Sequence, residues 1–119
     1  MSIIMKAKDI MKPSFHIVPE RMNLKSALQV MKKYNTGVLL VKKKYHLSGL
    51  LTASQILLKP SIDKSDLSKM QVRQMMNKKI YFCYQDQDIS QVRSLMDTKQ
   101  LRYLIVLDRE NKIVGLIYQ

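Results

Sequence analysis

Asn23-Leu24-Lys25-Ser26-Ala27-Leu28-Gln29-Val30-Met31 returns, in residue type more than in identity, as Asp88-Ile89-Ser90-Gln91-Val92-Arg93-Ser94-Leu95-Met96. Each stretch opens on a short polar residue able to cap a helix N-terminus. Apolar residues then follow at helical spacing: Leu24, Ala27, Leu28 and Met31 in one copy, Ile89, Val92, Leu95 and Met96 in the other. The spacing predicts two short amphipathic helices, each with a stripe that needs a sheet to cover.

Moving outward at the same offset of 65, Ala7-Lys8-Asp9-Ile10-Met11 falls on Val72-Arg73-Gln74-Met75-Met76, and Val38–Val41 falls on Tyr103–Val106. After a one-residue insertion, Gly49-Leu50-Leu51 falls on Gly115-Leu116-Ile117. Self-similarity of this kind marks an internal duplication. The apolar runs Val38–Val41, Leu47–Leu51, Tyr103–Leu107 and Ile113–Ile117 read as strands, joined by polar turns at Lys42–His46 and Asp108–Asn111. Phe15–Val18 and Tyr81–Tyr84 add a leading strand to each copy. The reading is a first repeat over residues 1–58, a polar linker over 59–71 that carries Pro60, and a second repeat over 72–119 that stops short at its C-terminal end. A lone copy would be marginal for independent folding. The expected architecture is therefore α+β (α/β): two small sheets packed together with flanking helices, a pseudo-twofold axis, and a cleft between the repeats as the place for a ligand.

Composition narrows the function. At 119 residues, 46% hydrophobic and 25% charged, the chain is globular and small, either one ordinary domain or two packed as a unit. Twenty-one Lys and Arg against nine Asp and Glu give +12, which favours anionic partners. Residues 1–58 carry +8, residues 59–71 +1 and residues 72–119 +3. Lys42-Lys43-Lys44 reads as a solvated hairpin tip in preference to a phosphate clamp. The single cysteine, Cys83, has no intrachain partner and reads as a small buried hydrophobe. His16 and His46 stand alone, so no metal site and no catalytic residues are expected, and the chain does not read as an enzyme. No apolar run is long enough to span a bilayer and no signal peptide is evident, which makes a cytoplasmic location the expectation.

The motifs that carry a family resemblance are Asp9-Ile10-Met11, Val18-Pro19, Leu24 to Met31, Thr36-Gly37-Val38-Leu39-Leu40-Val41 and Gly49-Leu50-Leu51-Thr52. In the second half they are Met75-Met76, Ile89 to Met96, Leu104-Ile105-Val106-Leu107-Asp108 and Val114-Gly115-Leu116-Ile117. Their order, in duplicate over essentially the whole chain, resembles a tandem CBS domain pair, or Bateman module. The resemblance implies a regulatory module that binds adenine nucleotides or related adenosyl compounds between its repeats: AMP, ADP or ATP, cyclic di-AMP, or S-adenosylmethionine. No cofactor is required.

The family's ligand motif is Gly-apolar-apolar-Thr/Ser-x-x-Asp. Thr52 matches the hydroxyl position that meets phosphate, but Gln55 stands where the ribose-binding Asp would be. An amide accepts and donates there without the charge assistance of a carboxylate. In the second copy Tyr118 takes the Thr/Ser position and Gln119 ends the sequence, leaving half of one motif absent. The other family positions precede the middle strand of each repeat, on Thr36-Gly37 and Leu101-Arg102. Gly37 either admits close backbone approach or caps the preceding helix, and Arg102 is either a phosphate partner or a solvated surface charge.

A basic, Lys-rich pair also resembles the C-terminal regulatory tails of ATP-binding subunits in bacterial glycine betaine, carnitine and choline ABC importers. The resemblance further implies a homodimer of CBS pairs acting on a transporter subunit, and charge adds an anionic membrane surface as a potential contact. A ligand-free dimerisation or interaction module is the alternative. A nucleic-acid binder rests on charge alone, lacks interleaved exposed aromatics, and is the weakest reading.

Overall fold

The Asn23 side chain accepts a hydrogen bond from the Ser26 amide at 2.8 Å, and a helix of eleven residues starts from that cap. A computed structural model describes residues 4–59 and 63–119. Its elements in chain order are α1 (Ala7–Ile10), β1 (Ile17–Pro19), α2 (Leu24–Tyr34), β2 (Val38–Lys43), β3 (His46–Thr52), α3 (Ala53–Leu57) and α4 (Lys64–Lys69). A 3₁₀ turn at Val72–Gln74 precedes β4 (Phe82–Tyr84), α5 (Ile89–Lys99), β5 (Tyr103–Leu107) and β6 (Ile113–Tyr118). The two predicted helices and all six strands are present; each strand lies within two residues of its expected bounds, and the helices run three residues past Met31 and Met96. The fold is mixed α+β, with two sheets of three strands in the orders β1-β2-β3 and β4-β5-β6. In each sheet the leading strand runs parallel to the middle one and the hairpin closes antiparallel.

Both helices end alike, on a residue in the left-handed region, Asn35 (φ 51°) and Gln100 (φ 53°). Gly37 has no positive φ, so Asn35 and not Gly37 caps α2. The N-termini differ. Asp88, predicted to cap α5 as Asn23 caps α2, makes no side-chain capping bond. The stretch expected as a plain linker carries α4, whose cap Asp63 accepts from the Ser65 and Asp66 amides. Leu67 of α4 packs against the first core. Of that stretch, residues 60–62 lie outside the described residues.

The chain condenses into two compact units whose make-up differs from the order of the repeats: residues 16–80 form one, and residues 1–15 with 81–119 form the other. Each repeat therefore lends its opening segment to the unit built from the other repeat. In the first unit Asn23 and Gln71 form a bridge, as do Leu50 and Asn77. The amide of Val72 donates to Met22 O at 2.7 Å, and Val72 is fully buried. The second unit repeats the arrangement with bridges Lys6–Asp88 and Lys12–Leu116, and with Ala7 fully buried. Glycine makes these contacts feasible. A Cβ on Gly115 would lie 2.6 Å from Lys12 O, and one on Gly49 would lie 2.5 Å from Met76 Sδ.

Each unit has its own core. Leu24, Ala27, Met31, Leu39, Val41, Leu51, Ile56 and Val72 cluster in the first; Ala7, Cys83, Val92, Met96, Leu104, Val106 and Ile117 cluster in the second. The two helical stripes read from the sequence supply Leu24, Ala27 and Met31 to the first cluster and Val92 and Met96 to the second, and the strands supply most of the rest. Cys83 is buried as expected, and desolvation pushes its thiol up to about 11. No helix among the described residues is long and apolar enough to cross a membrane.

Candidate functional site

In the first unit the antiparallel pairing of β2 with β3 sets Val38 opposite Thr52, so the residues just before β2 and just after β3 meet at one end of the sheet. The amide of Ala53 donates to Gly37 O at 2.9 Å, which fixes Gly37 beside the Thr52 turn. Thr36, Gly37, Thr52 and Gln55, four of the positions singled out in the sequence, are therefore brought to one sheet end. Gly37 is exposed, while Thr36, Thr52 and Gln55 are half-buried.

Their polar groups already have partners. The Thr52 hydroxyl accepts from the Gln55 amide at 3.3 Å, and Gln55 Oε1 accepts from the Thr52 amide at 2.8 Å. This is a capping box for α3, and it gives Gln55 a structural task that the Thr-x-x-Gln spacing announces. Thr36 Oγ1 in turn donates to Val38 O at 3.2 Å. A ligand hydroxyl or phosphate at this end would compete with these local bonds.

The second unit repeats the geometry. Tyr103 pairs with Tyr118, and the Gln119 amide donates to Arg102 O at 2.9 Å, the counterpart of the bond between Ala53 and Gly37. Leu101, Arg102 and Tyr118 thus gather at the matching sheet end. Leu101 is half-buried and packs against the second core, so it can offer a ligand little beyond backbone. Arg102 is exposed, and no ion pair engages it among the described residues. It lines a shallow depression of about 460 Å³ with Asp97, Gln100 and Gln119. Tyr118 is 47% exposed and stands edge-on to Tyr103 at 5.3 Å between ring centroids. Beside it Ile10, Val92, Met96 and Ile117 border a groove of about 450 Å³.

A feature that the sequence did not single out lies at the other end of the β2–β3 ribbon. Lys43 from β2, Lys69 from α4, Arg73 from the 3₁₀ turn and Lys78 beyond it border an open groove of about 950 Å³, in which Glu20 is the one acidic residue. These cations come from four separate segments, so no local run announces them. The hairpin tip itself is exposed as predicted, and Tyr45 at its apex is 99% exposed. Among the described residues no group of three or more His, Cys, Asp and Glu could hold a metal ion. His16 stacks on Tyr34 at 3.9 Å between ring centroids.

The order of the elements, their duplication and the two equivalent sheet ends all fit one family, and a model of the CBS domain matches residues 7–61 and 72–119. The chain belongs to the CBS domain family. It is a tandem CBS pair, which is a regulatory module. The pair is similar in structure to a conserved CBS domain protein of Thermoplasma acidophilum, with a TM-score of 0.84 and 22% identity over 98% of this chain and 66% of that one. It also resembles the cytosolic domain of the Mg2+ channel MgtE in complex with ATP, with a TM-score of 0.75 and 24% identity over 95% of this chain and 45% of that one. In sequence it is 25% identical over 115 residues to a probable arabinose 5-phosphate isomerase of Haemophilus influenzae. That match takes in 97% of this chain and 34% of the isomerase, so the CBS pair spans about a third of that relative's length.

Proposed function

We propose that this CBS pair senses an adenine nucleotide and thereby controls an attached or partner protein. The observation that carries the reading is the convergence of Thr36, Gly37, Thr52 and Gln55 on one sheet end, and of Leu101, Arg102 and Tyr118 on the matching end of the second unit, through the same pairing of middle and last strands. Chemistry favours this assignment: hydroxyls and exposed backbone suit a ribose and its phosphate, and Arg102 offers a fork of donors to a phosphate. The related MgtE domain was solved with ATP, which adds support for this ligand class.

For the controlled protein, the relatives favour no single partner: one is a channel domain and another a sugar-phosphate isomerase. The osmolyte importer rests on the resemblance of a basic CBS pair to importer tails, and none of the relatives named above is such an importer. A cytoplasmic homodimer of CBS pairs is the assembly we propose.

A thermal-shift series with AMP, ADP, ATP, cyclic di-AMP and S-adenosylmethionine tests the reading, run on the wild type and on Thr52→Ala, Arg102→Ala and Gln55→Asp. A stabilising ligand should lose its effect in the first two variants, each measured against its own unliganded melting temperature. Gln55→Asp should strengthen binding, because a carboxylate brings charge assistance to a ribose diol. Stabilisation that persists unchanged in all three variants would place the ligand elsewhere.

A second reading has its own observation. The capping box joins Thr52 to Gln55, and if the two serve only α3, the pair is an interaction module without a small ligand. A stable dimer with no response to any of the five compounds would establish it.

A further inference from the structure

The exchange of opening segments redistributes the charge. The unit of residues 16–80 holds thirteen Lys and Arg against three Asp and Glu, a net of +10, while residues 1–15 with 81–119 hold eight against six, a net of +2. Both ion pairs among the described residues, Asp86–Arg109 and Glu110–Lys112, lie in the weakly charged unit. In the strongly charged unit Asp63 and Asp66 cap α4, and among the described residues no carboxylate lies within ion-pair distance of its cations.

Four of those cations, Lys43, Lys69, Arg73 and Lys78, line the groove of about 950 Å³ described above, in which Glu20 is the one acidic lining residue. A concave surface lined by one sign of charge focuses its field, whereas charges on a convex face are dispersed by solvent. Like charges lining one groove also repel at low salt, a repulsion that a bound polyanion relieves. The groove lies at the Lys43 end of β2, and Thr36 and Gly37 lie before the opposite end, so it is a separate site from the proposed nucleotide positions. We propose that this groove binds a ligand carrying clustered phosphate groups, either a soluble polyphosphate compound or the headgroups of an anionic bilayer. Tyr45, exposed at the tip of the neighbouring lysine hairpin, is placed to add an interfacial contact where the source is a bilayer.

The experiment compares the whole chain with two variants of equal net charge. One removes the groove cations (Lys43→Gln, Lys69→Gln, Arg73→Gln, Lys78→Gln), and the other removes four exposed cations of the same unit outside the groove (Lys25→Gln, Lys32→Gln, Lys33→Gln, Lys64→Gln). A third variant exchanges the groove residues for the other basic type (Lys43→Arg, Lys69→Arg, Arg73→Lys, Lys78→Arg), which keeps the charge and controls for folding. Sodium tripolyphosphate by titration calorimetry probes the soluble source. Phosphatidylcholine vesicles with and without about one third phosphatidylglycerol probe the bilayer.

Binding to at least one phosphate source should weaken about tenfold or more in the groove variant, and far less in the other two. Whichever source binds identifies the ligand class. Equal weakening in both charge-removed variants, or no binding to either source, overturns the proposal. Preference for duplex DNA over both phosphate sources would also overturn it, since the groove would then be part of a nucleic-acid face. The nucleotide response through Thr52 and Arg102 is read separately, so either result can fail without the other.

Discussion

At the scale of single residues, the two glycines that admit the exchanged segments separate by what they touch. At Gly115 a methyl group would meet the backbone carbonyl of Lys12 at 2.6 Å, whereas at Gly49 the nearest atom is the flexible Met76 side chain. Gly115→Ala should therefore cost about 2–3 kcal/mol and Gly49→Ala about 1 kcal/mol, measured as shifts in urea unfolding. Equal losses would mean that the backbone at Lys12 yields as easily as a methionine side chain. Cys83 gives a prediction in pH. Burial raises its thiol from the ordinary 9.0 to about 11, so the folded state resists ionisation that the unfolded chain accepts. The stabilisation is complete below pH 9 and is lost as pH rises toward 11, a decline that Cys83→Ala should lessen in parallel unfolding curves. Burial of this residue was legible from its apolar strand. The engagement of Thr52 with Gln55 was legible too, as a Thr-x-x-Gln capping box, but the family motif drew attention to nucleotide chemistry instead.

At the scale of elements, hydrophobic period and turn chemistry were sufficient to place both long helices and all six strands, because the helices bury one stripe while the middle strands β2 and β5 are buried as continuous apolar runs. The caps were less legible. Asn23 and Asp88 look equivalent in sequence, yet only Asn23 makes its capping bond, while Asp88 lies in a bridge with Lys6. Asn23→Ala should accordingly cost about 1 kcal/mol and Asp88→Ala a few tenths, by thermal or urea unfolding. Costs of similar size would show that Asp88 caps α5 in solution. Helix α4 was missed because its six residues are polar and only Leu67 among them packs inward, so its signal is the Asp63 capping box and not an apolar stripe.

At the scale of the whole molecule, folding redistributes the charge between the two units. Counted along the chain, the excess falls as +8, +1 and +3 over the first repeat, linker and second repeat. Counted by folded unit it is +10 against +2, since the opening segment takes Asp9 away with its lysines and the second repeat returns Arg73, Lys78 and Lys79. Self-repulsion in the basic unit should make the unliganded protein more stable as sodium chloride is raised from low to physiological strength, and the four groove substitutions should flatten that rise in melting temperature. A melting temperature indifferent to salt would show that the cations are too well solvated to interact. The sequence by itself determined the duplication, through self-similarity at a fixed offset, and the elements within each copy and the family motifs, which are local in spacing and need only period, capping and turn chemistry. Tertiary structure alone decided which repeat's opening segment completes which core, and which cations share a groove. Those outcomes depend on contacts between segments tens of residues apart, and no local pattern records them.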